Sequence, residues 1–267
     1  MDALTRNNVT VKGNGPQAIV FAHGYGCDQT MWRLITPAFE QDYTVVLFDH
    51  VGFGGADTSK YTLDRYSSLQ SYAVDILEIC EQLQLQDAIF VGHSVSAMIG
   101  VLASIIDPVR FKKLVLIGPS PRYINDQDYV GGFTQEEIDG LLESLESDYL
   151  KWSEALAPVI MGNPDKPHLG QELTEVFCKS NATVAKDFAR ITFLSDNRED
   201  LKNLAVETLI LQCSEDIIAP LPVGAYMHQQ LPHSKLQILK ATGHCPNLSA
   251  PEETIAAIKA FLASVEK

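Results

Sequence analysis

Residues 90–100 read FVGHSVSAMIG: an apolar run, a turn of small residues around Ser94, then a second apolar run. A strand ending at Gly92 and a helix starting after Ser94 put the serine at the apex of a sharp turn. There its hydroxyl stands exposed for attack on an electrophilic carbon. The plain alternative is a serine that caps a helix. A hydroxyl attacks at neutral pH only when a base takes its proton during the attack. His244, in KATGHCPNLSAPEE, follows a strand-like run at 235–239 and precedes the final helix. That base needs an acid to hold its tautomer and stabilise the imidazolium. The run TLILQCSEDIIAP ends in Glu215 and Asp216, and residue pattern alone leaves either one as the acid. The oxyanion formed by attack needs two preorganised donors. The Val95 N–H, directly after the serine, supplies one. The Tyr25 N–H, after His23-Gly24 in AIVFAHGYGCD, supplies the other.

Bringing these distant side chains together requires several strands that end along one edge. Five apolar runs meet that need: AIVFA (18–22), TVVLFD (44–49), AIFVG (88–92), KLVLIG (113–118) and TLILQC (208–213). Each is too short and too continuous for an amphipathic helix and suits a strand buried on both faces of a parallel sheet. Helical patterns separate most of them. Leu69, Tyr72, Ala73, Ile76, Leu77, Cys80 and Leu83 form one stripe within 64–84. Ser249 and Glu252 are spaced as a capping box ahead of Ile255, Ile258, Phe261 and Leu262. Alternating elements predict an α/β fold, a mostly parallel, doubly wound sheet. From about 123 to 203 the alternation stops. Thr134 and Glu137 form a capping box before Ile138, Leu141, Leu142 and Leu145, and Val184, Phe188 and Ile191 share a helical face. The predicted organisation is a core of 1–122 and 204–267 with a helical insertion, 123–203. Insertions on such sheets gather at the carboxyl ends of the strands, where ligands bind, so the insertion is expected to cap the site.

Composition excludes other chemistries. Twenty basic against 34 acidic side chains give a formal charge of −14, which opposes binding to a phosphate backbone. The five cysteines (Cys27, Cys80, Cys178, Cys213, Cys245) are scattered and form no C-x-x-C pair, so neither a disulfide framework nor a zinc site is expected. His228 and His233, five apart beside Pro232, are not expected to be metal ligands. MDALTRNNVTVKG has no apolar h-region, and no run approaches a membrane span. The expected setting is cytoplasmic, with no metal, organic cofactor, nucleic acid or membrane partner.

The order serine, acid, histidine at successive strand ends is that of the α/β-hydrolases. One position departs from their G-x-S-x-G turn, since Ser96 replaces the last glycine. HGYGCDQTMW, LFDHVGFGGAD, FVGHSVSAMIGVLASI, SPRYIND, YVGGF, LQCSEDIIAP and GHCPNLSAPEET together resemble the RsbQ-like branch of bacterial stress-response regulators. GHSVSAMIG and SPRYIND also resemble the plant strigolactone and karrikin receptor hydrolases. The resemblance covers nearly the whole chain. It implies Ser94 as nucleophile, Asp216 rather than Glu215 as acid, His244 as base, and Tyr25 and Val95 as oxyanion donors. It further implies a four-helix cap over an apolar pocket, with Phe133, Trp152, Phe177 and Phe193 as pocket-lining aromatics. Leu156 stands where the plant receptors have an aromatic, and Ile106-Asp107 stand where a basic pair is common.

Three functions compete on this reading. The first is a slow serine hydrolase of small apolar esters or lactones that senses a ligand and acts with a signalling phosphatase, as the resemblance implies. The second is a metabolic carboxylesterase or C–C hydrolase without a partner. The third is a binding receptor whose triad is vestigial. Dehalogenase and epoxide hydrolase chemistry uses a carboxylate nucleophile, which Ser94 excludes.

Overall fold

Seven strands form one sheet in a computed structural model that describes residues 2–264. They are β1 (Thr10–Lys12), β2 (Gln17–Ala22), β3 (Tyr43–Leu47), β4 (Ala88–His93), β5 (Phe111–Ile117), β6 (Glu207–Glu215) and β7 (Ser234–Thr242). Their spatial order is β1-β3-β2-β4-β5-β6-β7. β1 runs antiparallel to β3, and the other neighbours are parallel. The five apolar runs coincide with β2 to β6, TVVLFD passing the end of β3 by two residues and KLVLIG that of β5 by one, and β4 is buried along its whole length. Ile19, Val20 and Phe21 of β2 pair with Ile89, Phe90 and Val91 of β4. Side chains on both faces of this centre are covered, so the strands are continuous rather than alternating in character.

The described helices are α1 (Ala3–Arg6), α2 (Leu69–Gln82), α3 (Val95–Ile106), α4 (Gln135–Ser147), α5 (Tyr149–Met161), α6 (Pro167–Lys179), α7 (Ala182–Phe193), α8 (Leu221–Gln230), α9 (Pro246–Ser249) and α10 (Pro251–Leu262). The stripe expected within 64–84 is the buried face of α2, where Leu69, Tyr72, Ala73, Ile76 and Cys80 are enclosed. The capping box at the start of α4 is present, with Thr134 and Glu137 each bonded to the other's backbone. The Ser249–Glu252 box is not formed. Ser249 ends α9, and α10 begins at Pro251 with no side-chain cap. Proline lacks the N–H that a cap would satisfy and presets the first helical φ, so the helix starts without the box. β1 escaped the sequence reading because three half-exposed residues carry no apolar run.

Between β5 and β6 the chain forms α4 to α7 in succession. The departing and returning segments are tied together at their base. Asn197 N–H donates to the Pro121 carbonyl at 2.8 Å. Arg122 pairs with Asp196 at 2.5 Å, and Arg198 pairs with Asp126 and Asp196 at 2.7 Å each.

β2 runs on to β3 on one side, whereas β4 lies on its other side. The crevice at the carboxyl ends of β2 and β4 is therefore the sheet's switch point, where ligands bind in open α/β folds. Ser94 and the His23–Tyr25 turn both sit there.

Candidate active site

Ser94 follows β4 directly and precedes α3. Its φ is +57° and its ψ is −124°, a region that costs a non-glycine residue about 1–3 kcal/mol. The surrounding hydrogen bonds hold it there. Ser94 N–H donates to the Ile117 carbonyl at 2.8 Å, and Ala97 N–H donates to the Ser94 carbonyl at 2.9 Å. The turn is tight because α3 folds straight back over β4. A Cβ on Gly92 would lie 2.5 Å from the Ser96 carbonyl oxygen, so no larger residue fits that position.

The Ser94 hydroxyl lies 2.7 Å from His244 Nε2, and His244 Nδ1 lies 2.7 Å from Asp216 Oδ2. All three residues are buried. Asp216 Oδ1 accepts from the Ile218 and Ala219 N–H groups at 2.8 and 3.1 Å. Burial raises the Asp216 carboxyl pKa, but the His244 imidazole and these N–H donors outweigh burial and hold it below the usual value. An ionised carboxylate accepts from Nδ1–H, which leaves the Nε2 lone pair facing the serine hydroxyl. Glu215, by contrast, has an exposed side chain; its backbone carbonyl accepts from Gly243 N–H at 2.7 Å. The structure thus joins Asp216 to His244.

The loop carrying the histidine is braced from two sides. His93 Nε2 contacts the His244 carbonyl at 2.7 Å, so it carries the proton and donates. Burial, followed by the neighbouring His244 charge, lowers the His93 pKa to about 3, so it stays neutral. His244 N–H donates to the Ile160 carbonyl near the end of α5 at 2.9 Å, and Asn163 Nδ2 donates to the Thr242 carbonyl at 2.9 Å.

The Tyr25 turn lies against the serine turn. A Cβ on Gly24 would lie 2.5 Å from His93 Nδ1 and 3.3 Å from Ser94 Cβ, so glycine allows this approach. The Tyr25 ring faces the inserted helices, within 5.7–6.4 Å (between centroids) of Trp152, Phe177, Phe188 and Phe193. Its hydroxyl donates to the Ala185 carbonyl at 3.0 Å.

A cleft opens over Ser94 with a cavity volume of about 30 Å³. Trp152, Phe177 and Phe193 line it, as do Tyr25 and His244. Phe133 does not line it. The expectation for Phe133 fails because the chain loops back before α4: Phe133 N–H donates to the Tyr123 carbonyl at 3.1 Å, and its carbonyl accepts from Asn125 N–H at 2.7 Å. That pairing leaves its ring half-buried against the core. Residues the sequence reading missed include Ile160, Leu173, Thr192 and Ile218 in the lining. Tyr123 is the most informative of them, since it lines the cleft together with Ser94 and His244. Burial raises the pKa of its hydroxyl. Its signal in the sequence was its position just past the end of the KLVLIG strand.

A family model described as "Alpha/beta hydrolase family" matches residues 19–257. The chain is 40% identical to a karrikin insensitive 2 receptor of Petunia hybrida over 250 residues, 93% of each sequence. It is 39% identical to a strigolactone esterase of Arabidopsis thaliana over 247 residues, 92% of each. Among solved structures, a hydrolase from Oleispira antarctica superposes with a TM-score of 0.96 at 37% identity, covering 99% of this chain and 97% of that one.

Proposed function

This chain belongs to the alpha/beta hydrolase family, and on that premise we propose that it is a serine hydrolase of small apolar esters or lactones that acts as a ligand sensor. The observation that carries the reading is the continuous chain Ser94–His244–Asp216, with 2.7 Å at each link. In the proposed reaction Ser94 Oγ attacks the carbonyl carbon while its proton passes to His244 Nε2. Asp216 holds the imidazole through Nδ1–H and stabilises its positive charge. The oxyanion is received by the N–H groups of Val95 and Tyr25, each donor contributing about 2.7–4 kcal/mol. Collapse of the adduct breaks the C–O bond, and the leaving oxygen takes the proton from His244 Nε2. For a lactone, that oxygen stays attached to the acyl group. Water, deprotonated by His244 Nε2, then attacks the ester carbon, the acyl C–Oγ bond breaks, and Ser94 Oγ takes the proton back from Nε2 as the acid leaves.

The apolar aromatic lining supports small, weakly polar substrates. Residues 123–203 act in this reading as a cap, because Trp152, Phe177 and Phe193 come from its helices. In this reading a shift of these helices widens the narrow cleft for substrate, and such a shift is the element a sensor needs. The similarity to a receptor and to an esterase supports joining both roles in one site. Signalling of the RsbQ type, through a partner phosphatase in the cytoplasm, completes the proposal.

The test is reaction with a small fluorophosphonate followed by mass spectrometry. A single adduct on the peptide carrying Ser94, absent from Ser94→Ala, is expected. Unmodified wild-type protein, or labelling that survives in Ser94→Ala, would remove the nucleophile and the proposed chemistry with it.

A further inference from the structure

Ser96 stands where the G-x-S-x-G turn has glycine, and its hydroxyl makes two buried contacts. It donates to the His23 carbonyl at 2.5 Å, and it lies 2.7 Å from His50 Nε2. The direction of every proton in this cluster follows. The hydroxyl proton is spent on the His23 carbonyl, so His50 must donate from Nε2. His50 N–H lies 3.0 Å from His23 Nε2, which therefore accepts. His23 then carries its proton on Nδ1, which donates to the Gly24 carbonyl at 2.9 Å. Burial lowers the pKa of both histidines, that of His50 strongly, so neither gains a second proton that would reverse a bond.

We propose that Ser96, with His50, is a positioning residue that fixes the His23–Tyr25 turn against the serine turn and so aims the Tyr25 N–H at the developing oxyanion. His50 follows β3, His23 follows β2 and Ser96 lies in the first turn of α3. One hydroxyl thus locks three strand ends at the switch point. A glycine at 96 would leave the His23 carbonyl and His50 Nε2–H without partners in a buried cluster, which is costly. His50 Nδ1 is already unpaired, so the imidazole has no second hydrogen bond to hold it. The lock matters because an oxyanion donor must be in place before the charge develops. The inference rests on the proposed Ser94 chemistry for its catalytic consequence, but the lock itself is independent of turnover.

The experiment compares wild type with Ser96→Ala, His50→Phe, His50→Gln and the double variant Ser96→Ala/His50→Phe, each checked for folding by circular dichroism. Steady-state hydrolysis of 4-nitrophenyl acetate gives kcat and KM, and hydrogen exchange reads the Cys27 amide, which donates to the Gly24 carbonyl at 3.3 Å. Ser96→Ala and His50→Phe should each lower kcat at least tenfold with KM within twofold, because the lost aim is felt chiefly in the transition state. The double variant should be no worse than either single one. His50→Gln, whose amide nitrogen replaces Nε2 as donor, should retain most of kcat. Cys27 exchange should accelerate about tenfold in Ser96→Ala. Unchanged Cys27 exchange in folded Ser96→Ala overturns the lock whatever the kinetics. Exchange that accelerates while kcat is unchanged overturns its role in aiming Tyr25. Turnover that persists in Ser94→Ala, with accelerated exchange in Ser96→Ala, would instead mean that the proposed chemistry has failed and the lock stands.

Discussion

At the scale of single residues, the two adjacent acids show what spacing alone leaves open. Glu215 and Asp216 end the same strand-like run, and one residue of register sends their side chains to opposite sides. The sequence reading reached Asp216 through resemblance, and the structure supplies the physical reason: its second oxygen is held by two backbone N–H groups in the turn beyond β6. The two acids therefore predict different outcomes. Asp216→Asn should lower kcat by about 10⁴-fold, since the amide favours the wrong imidazole tautomer. Glu215→Gln should leave kcat within about twofold, because its exposed side chain touches none of the reacting groups. Rates on 4-nitrophenyl acetate decide between them, and a crippled Glu215→Gln would reverse the assignment. Ser94, His244 and the Tyr25 turn were legible because each lies between an apolar run and a change of pattern. Tyr123 and His93 were not, because Tyr123 joins the cleft only through the folding of the chain and His93 acts through a bond to the distant His244 carbonyl.

At the scale of elements, the strands were legible because parallel sheets bury both faces and write themselves as continuous apolar runs. Of the inserted helices, α4 was legible by its cap and stripe and α7 by its stripe, whereas α5 and α6 followed only from the resemblance, and no pattern told which aromatic faces the serine. Phe133 precedes α4, and a backbone pairing with Tyr123 sets its place; hydrophobicity carries no sign of that. Trp152 is better placed, its ring stacked on Phe177 at 13° and 6.3 Å and lining the cleft. A ligand entering there must disturb this stack. Of the chain's two tryptophans, Trp32 is enclosed in the core beside Phe21. The fluorescence change on titration with a small butenolide should therefore persist in Trp32→Phe and vanish in Trp152→Phe. Trp152→Ala should act mainly on KM, as lost uniform binding does; an effect on kcat alone would place the indole outside the binding cleft.

The base of the insertion adds a prediction with a sign. Burial raises the Asp196 carboxyl pKa, but the hydrogen bonds from Arg198 and Arg122 outweigh it and bring the pKa to about 2, against an ordinary 3.8. A carboxylate depressed on folding stabilises above its unfolded pKa and loses that contribution as pH falls through the folded one. Asp196→Asn should thus lower Tm by an amount constant from pH 8 to pH 5, shrinking below about pH 4 and vanishing only below about pH 2. A difference that instead collapses near pH 6 would mean a histidine, not Asp196, governs the tie.

At the scale of the whole molecule, the base loop and the inserted helices are not independent parts. His244 N–H is held by the Ile160 carbonyl, and the Asn163 side chain bonds the Thr242 carbonyl. Tyr25, on the opposite wall, is held by the Ala185 carbonyl of α7. On the proposed reading, a ligand that widens the cleft moves α5 or α7, and either movement pulls on a residue of the proposed chemistry. On that reading opening and reaction compete, and each turnover requires the helices to open and close, steps that set kcat in many enzymes. We expect steady-state turnover of a butenolide lactone at or below about 1 s⁻¹, the low end of ordinary enzymes, with Ser94 acylation no faster than the Trp152 fluorescence change. In the proposed sensor the acylated and free forms differ in helix position, which a partner distinguishes only if it binds them unequally. A pull-down from the source cell should retain a phosphatase, identified by mass spectrometry, when wild-type protein is loaded with lactone and not when Ser94→Ala is. Rapid hydrolysis of many simple esters with no lactone-dependent phosphatase would favour a metabolic esterase. Equal retention by lactone-loaded Ser94→Ala would instead assign the signal to binding alone.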